Sequence, residues 1–136
     1  MKKLNYLLTI LLFAGLTACQ DPAKSRIYMD EGSKLMMTYG KFKEAEASFD
    51  KAIKYDKSNY EAYYLRGCAK INEKKYRDAI DDFGKATELK PDYADAYFNI
   101  GKVYYILNNE DEACKYYKLA EKYGRPNLDD YLRRCK

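Results

Sequence analysis

Four cysteines and no histidine stand among the 136 residues of the chain. The missing histidine excludes Ser–His and Cys–His nucleophilic pairs and His–metal sites, and it makes a zinc enzyme a poor interpretation. The cysteines lie far apart and show no Cys-x-x-Cys spacing, so their pattern does not indicate a metal centre. They are Cys19, Cys68, Cys114 and Cys135.

Carboxylates occur as neighbours at Asp81-Asp82 and at Asp129-Asp130. On a helix, adjacent side chains point about 100° apart, so neither pair converges on one substrate atom. We interpret both pairs as solvated helix faces. The chain also has no Gly-rich phosphate loop. The sequence therefore predicts a protein that is not an enzyme and needs no cofactor or metal.

The first nineteen residues have the layout of a targeting signal. Two lysines precede an apolar run over Leu4–Gly15, which is too short to be a comfortable transmembrane helix. The run ends in Leu16–Cys19, which resembles the cleavage box of a bacterial lipoprotein signal peptide. That resemblance implies that residues 1–18 are removed and that Cys19 carries lipid, palmitate included. The alternative is an ordinary signal peptide that happens to end in cysteine.

Removal of residues 1–18 takes away two lysines and no acid, so the net charge of +4 falls to +2. No long basic stripe remains, which disfavours nucleic acid as a partner. The lipoprotein resemblance implies a bacterial cell envelope protein held to a membrane by its lipid. We expect the outer membrane or cell surface rather than the inner membrane. Residues 19–25 are interpreted as the lipidated cysteine and a polar tether.

The rest of the chain repeats with a period of 34 residues, the mark of a stacked helical array. Gly67 returns as Gly101, and Ser33 stands in its place one period earlier. The pattern Ala-x-x-x-Phe recurs with its aromatic at Phe49, Phe83 and Tyr117. Apolar spacing and turn residues predict six helices and a terminal one: Ile27–Thr38, Phe42–Tyr55, Tyr60–Ile71, Tyr76–Leu89, Ala94–Leu107, Glu110–Tyr123 and Leu128–Cys135.

These recurring residues resemble the tetratricopeptide repeat. The resemblance implies an all-α fold of three antiparallel helix pairs, a short right-handed superhelical array with a C-terminal capping helix. The units are residues 26–59, 60–93 and 94–126, followed by 127–136 as the cap. Small residues such as Gly67 let the paired helices approach closely, and Phe83 fills the space beside that contact, so we expect Phe83 in the core.

The resemblance also implies a partner-binding groove lined by the first helix of each pair. Carried over at the period of 34, its positions are Asp30, Lys34, Met37, Tyr64, Cys68, Ile71, Phe98, Lys102 and Tyr105. These positions do not supply the combination of Lys, Asn and Arg with which some members of the family clamp a terminal carboxylate, so that mode of binding is not expected here. An aromatic centre with a charged rim suits an extended segment or amphipathic helix of another envelope protein. Alternatively, Tyr64 and Phe98 only fill the space between neighbouring helices.

Two functional interpretations remain beside the protein-binding scaffold. One is a glycan- or nutrient-binding accessory lipoprotein, although the chain has no Trp. The other is a non-catalytic subunit of an envelope enzyme.

Two fates are open to Cys114 and Cys135. They are either buried thiols or, if the cap folds back antiparallel, a disulfide that leaves Cys68 free.

Overall fold

The computed structural model describes residues 20–135, and these residues fold into seven α-helices without a strand. The predicted signal peptide, Cys19 and Lys136 lie outside the described residues. Each of the first six helices packs against the next along the chain, which gives three antiparallel pairs and confirms the predicted fold class. The helices are α1 Pro22–Met36, α2 Phe42–Tyr55, α3 Tyr60–Asn72, α4 Tyr76–Leu89, α5 Ala94–Ile106, α6 Glu110–Lys122 and α7 Asp129–Leu132.

Turn chemistry sets the helix ends. The Asn59 side chain accepts a hydrogen bond from the backbone N–H of Ala62 at 3.1 Å and so caps α3. Within the three pairs, the chain reverses at residues with positive φ: Gly40 at 83°, Lys74 at 60° and Asn108 at 57°. Asn108 tolerates this left-handed conformation better than most residues other than glycine. Lys74 adopts it at the steric cost that glycine avoids.

A small residue facing a ring holds each pair together. A Cβ added to Gly67 would lie 2.8 Å from Cε1 of Phe83, and one added to Gly101 would lie 2.7 Å from the Tyr117 ring. Phe83 is fully buried, which confirms its predicted place in the core, and Tyr117 is 3% exposed. Only a residue without a side chain allows this approach of the two helices.

In the first repeat the partner of the ring is Gly32, so the expectation that Ser33 takes the place of Gly67 is wrong. A Cβ on Gly32 would lie 2.6 Å from the Phe49 ring. Gly32 and Gly40 are eight residues apart, whereas Gly67 and Lys74 are seven apart. The extra residue lies between the end of α1 and the turn, and it shifts α1 by one position relative to the period of 34.

Aromatic stacking supports this shifted register. Tyr28 stacks on Tyr55 with ring centroids 5.6 Å apart, and Tyr97 stacks on Tyr123 at 5.2 Å. Tyr55 and Tyr123 are two periods of 34 apart, but Tyr28 and Tyr97 differ by one residue more. Residues of α1 therefore match those of α3 at a spacing of 35.

The predicted tether over residues 20–25 is largely helical instead. The Asp21 side chain accepts from the backbone N–H of Lys24 at 3.0 Å, and Pro22 occupies the first turn, where a missing N–H costs nothing. The backbone N–H of Asp21 also donates to the carbonyl of Tyr55 at 2.8 Å. Ser25 is fully buried and accepts from Asn59 Nδ2 at 3.2 Å. The start of the chain's first helix is thus fixed to the end of α2 and to the residue that caps α3.

The C-terminal cap is shorter than predicted, since α7 covers four residues rather than eight. Leu128 is 3% exposed and joins a core cluster with Phe98 and Tyr117. The chain then returns to α6, where a disulfide joins Cys114 to Cys135, and Cys68 is a free thiol. A covalent bond therefore supplements the small apolar contact of this last segment.

Candidate functional site

The first helices of the three pairs carry the predicted groove, but the shifted register of α1 changes its first-repeat members. At the spacing of 35, the residues of α1 equivalent to Tyr64, Cys68 and Ile71 are Met29, Ser33 and Met36. The carry-over of Asp30, Lys34 and Met37 to those three places is a one-residue error. Asp30 and Lys34 are exposed charged residues, and Met37 follows the end of α1.

Tyr64 packs between repeats. Its ring centroid lies 4.9 Å from that of Tyr93 and 5.6 Å from that of Phe83, and its hydroxyl accepts from Asn99 Nδ2 at 3.1 Å. Burial raises the pKa of Tyr64 to about 12 because the tyrosinate would be poorly solvated. This side chain supports the stacking of the second and third units.

Phe98 is 7% exposed and lies under the C-terminal segment. Its ring centroid is 5.0 Å from that of Tyr131, edge to face, and the Arg125 guanidinium lies 3.9 Å above the ring. Arg125 is held in turn by a salt bridge to Asp95. The groove position that Phe98 was expected to fill is therefore covered, and the space-filling alternative describes Phe98 as well as Tyr64.

Cys68 is half-buried, and its Sγ lies 3.9 Å from Nδ2 of Asn99. Burial raises the pKa of the thiol to about 11, so it is not the thiolate that acts as a nucleophile. Among residues 20–135, no group of three or more His, Cys, Asp or Glu side chains is placed to hold a metal ion. In the same stretch, no helix is long and apolar enough to cross a membrane.

One acidic residue that we interpreted as solvated is buried. Asp82 is 4% exposed, and its carboxylate accepts from Arg66 Nε and from Lys70 Nζ, both at 2.8 Å. Arg66 also reaches Asp50 of the first unit at 2.7 Å. These charged groups form ion pairs with one another that connect two repeats, so they do not form a binding site. No sequence signal distinguished Asp82 from its exposed neighbour Asp81.

A set of partly or largely exposed apolar side chains lies at the C-terminal ends of the first helices. Met36, Ile71 and Tyr105 occupy equivalent positions, and Met37 and Ile106 are equivalent to each other one residue further on. Met37 is 88% exposed, Tyr105 43% and Ile106 45%. We call these five residues the apolar edge. Of the nine predicted positions, Ile71 and Tyr105 belong to it, while Lys102 is an exposed cation beside Phe98.

Three family models match the chain, all of tetratricopeptide or TPR repeats, over residues 38–69, 69–108 and 94–123. Curated relatives include the wheat (Triticum aestivum) Hsp70-Hsp90 organizing protein, 34% identical over 58% of this chain, and the Schizosaccharomyces pombe heat shock protein sti1 homolog, 35% identical over 63%. Mouse (Mus musculus) protein O-mannosyl-transferase TMTC3 is 37% identical over 54%. The matched region spans only 14%, 15% and 8% of these relatives' own lengths.

Solved structures share this helical architecture over most of the chain. The first TPR domain of Spaghetti (RPAP3), bound to the HSP90 peptide SRMEEVD, superposes with a TM-score of 0.80 at 26% identity, covering 85% of this chain and 93% of that one. MamA gives a TM-score of 0.70 at 30% identity, over 76% of this chain and 60% of MamA. The family models and the structural neighbours together find tetratricopeptide repeats over residues 38–123 of the chain.

Proposed function

We propose that this protein is a lipid-anchored, non-catalytic adaptor of the bacterial cell envelope, which binds a segment of another protein along its apolar edge. The observation that supports this proposal is the exposure of the apolar edge. Five apolar side chains at two equivalent places near the ends of α1, α3 and α5 are left partly or largely exposed, and the second repeat has Asn72 at one of these places. Exposed apolar side chains grouped in this way mark interaction sites, and methionine and tyrosine suit them.

The relatives favour a protein or peptide as partner. RPAP3 was solved with an HSP90 peptide, and the wheat relative is named as an Hsp70-Hsp90 organizing protein. An acidic peptide is a poor fit here, because Lys102 is the single cation at the nine register-corrected groove positions. We therefore infer an apolar or amphipathic segment, which would lie against Met36, Ile71 and Tyr105.

Replacing exposed apolar side chains of the edge by lysine tests this proposal. The double variant Met37→Lys, Ile106→Lys should lower co-purification of the envelope partner by about tenfold or more, since truncating a few anchor contacts removes much of the binding energy. The matched control is Ala47→Lys, Leu89→Lys, which places the same charge on exposed positions of the second helices α2 and α4. Circular dichroism and melting temperature should be unchanged in both. Equal loss of partner in both variants would contradict the assignment of the edge.

The anchor is tested separately at Cys19. Two or three acyl chains hold a protein stably to a membrane where a single chain would be marginal. We expect Cys19→Ala to remain unprocessed or to leave the membrane fraction, with a changed mobility on gels. If the variant fractionates and migrates like the wild type, the lipid anchor is wrong, while the partner-binding proposal stands or falls on the edge variants.

A further inference from the structure

A cavity of about 240 Å³ opens where the third repeat meets the C-terminal segment. Its walls come from the end of α5, the start of α6 and the residues around α7, and the disulfide joins two of these walls. Tyr105 of the apolar edge forms one side, so the cavity continues that edge. The lining residues are Tyr105, Glu110, Ala113, Cys114, Tyr117, Asp130, Tyr131 and Arg134.

Three aromatic rings form the walls. Tyr117 is 3% exposed, and its ring centroid lies 5.0 Å from that of Tyr131. Tyr105 and Tyr131 are partly exposed and flank the opening. A site of this size with aromatic walls accommodates a single side chain, and the faces of such rings attract cations.

The protein already places a guanidinium on one of these rings. Arg134 lies with its guanidinium 5.6 Å from the Tyr105 centroid, and Nη1 donates to the Tyr105 hydroxyl at 2.8 Å. Across the third repeat, Arg125 covers Phe98 in the same way. Two guanidinium groups at this end of the molecule therefore lie near aromatic rings, Arg125 close over Phe98 and Arg134 beside the Tyr105 hydroxyl.

The charged residues that line the cavity are two acids and one base, Glu110, Asp130 and Arg134. Asp111 and Asp129 lie next to these acids in the sequence, whereas Glu112 is paired with Lys115 at 3.1 Å. Asp130 pairs with Arg133 at 3.2 Å and remains exposed, while Glu110 has no cationic side chain of residues 20–135 within 4.0 Å. The Arg134 guanidinium is hydrogen-bonded to the Tyr105 hydroxyl rather than to a carboxylate. The opening thus has an unpaired carboxylate next to apolar walls, which complements a cation on an aliphatic stem.

We propose that this cavity binds one arginine side chain of the partner segment, with the guanidinium against the tyrosine rings and the Glu110 carboxylate. The inference rests on the proposed function only in that the arginine belongs to the partner. Arginine suits the site better than lysine because its planar group both stacks on rings and donates to a carboxylate in a fixed geometry.

Small amides test the cavity without the partner. N-acetyl-arginine amide, titrated into the isotopically labelled oxidised protein, should shift the backbone amide resonances of Tyr105, Cys114 and Tyr131. N-acetyl-citrulline amide has nearly the same shape without the charge, and it should bind at least about fivefold more weakly, the effect of losing a partly exposed charge contact. Glu110→Gln should reduce arginine amide binding by a similar factor. The matched control Glu121→Gln, on an exposed position at the far end of the same helix, should leave it unchanged.

Three results would overturn the proposal: citrulline amide binding as tightly as arginine amide, N-acetyl-phenylalanine amide binding more tightly than either, or arginine amide leaving these resonances unmoved. Because no partner is present, none of these results bears on the edge variants. Conversely, partner loss in the edge variants leaves the amide titration interpretable.

Discussion

Contacts between a glycine and a ring are the residue-scale reason that the helices pair as they do. Gly32, Gly67 and Gly101 each face the aromatic residue of the following helix at a distance that excludes a methyl group. Gly84 differs, since a Cβ there would meet nothing within 4 Å. Gly67 and Gly84 are therefore a matched pair of helical glycines, one in close contact with a ring and one without such a contact.

Substituting the two glycines should change stability in opposite directions. Gly67→Ala places a methyl group against Phe83, which is fully buried and cannot move aside, so we expect a loss of about 1–3 kcal/mol in the free energy of unfolding. Gly84→Ala should stabilise by about 0.5–1 kcal/mol, because alanine loses less conformational entropy in a helix interior. Urea unfolding measures both. Similar effects of the two substitutions on the free energy of unfolding would mean that the close contact between Gly67 and the Phe83 ring does not constrain this position.

Buried phenols and the buried thiol predict alkaline sensitivity. Burial raises the pKa of Cys68 to about 11 from 9.0, and the pKa values of Tyr64 and Tyr117 to about 12 from 10.0. The unfolded chain therefore loses these protons at lower pH than the folded protein does. Their contribution is fully present below about pH 9 and is lost progressively as the pH rises to about 12.

The free energy of unfolding should accordingly fall with pH over that range, and Tyr64→Phe should make the fall less steep. The control Tyr39→Phe alters a ring that is 99% exposed and should leave the slope as it is. A slope unaffected by Tyr64→Phe would show that the hydroxyl is not buried as described.

Residue types alone could not assign the groove. Tyr64 and Phe98 sit at positions where an aromatic can either bind a partner or fill the space between helices, and only contacts to Tyr93 and Tyr131 decide for filling. The burial of Asp82 likewise depends on Arg66 and Lys70, which are on another helix. Such choices are made by tertiary packing.

At the scale of elements, most helix bounds were predictable because apolar spacing and turn residues agree. Bounds for α2 and α4 are as predicted, and those of α3, α5 and α6 differ by one residue at one end. The start of α1 was missed although Asp21 and Pro22 form an ordinary helix start. The extra residue before Gly40 could not be recognised in the sequence. Ser33 is small and stands where the period of 34 predicts the equivalent of Gly67, so the true equivalent, Gly32, was not noticed.

The disulfide should carry much of the stability of the last element. α7 has four residues, and the Cys114–Cys135 bond closes a loop of 21 residues around it. In the chain-entropy model we expect Cys114→Ser, Cys135→Ser to lower the free energy of unfolding by about 3 kcal/mol. In this double variant, amide hydrogen exchange should increase most in residues 126–135.

Alkylation checks the same bond directly. The oxidised mature protein, unfolded without reductant and weighed by mass spectrometry, should take up label at Cys68 but not at Cys114 or Cys135. Labelling of both members of the pair would exclude the disulfide in the cell.

At the scale of the whole molecule, the repeats are joined by contacts that leave one surface unused. Arg66 bridges Asp50 and Asp82, Tyr64 contacts Tyr93 and Asn99, and Asp21 is hydrogen-bonded to Tyr55. These interactions hold successive units in a fixed relation. The equivalent ends of α1, α3 and α5 are thereby aligned, and their apolar side chains remain exposed.

The central claim, that a partner lies along the apolar edge, is tested most directly by site-specific photocrosslinking in cells. A benzophenone amino acid is introduced separately at Met37 and Ile106 on the edge, and at Ala47 and Leu89 on the second helices as controls. We predict that both edge positions give the same adduct with one envelope protein and that the control positions do not. The same adduct from Ala47 or Leu89, with none from Met37 and Ile106, would contradict the claim and place the partner on the opposite surface.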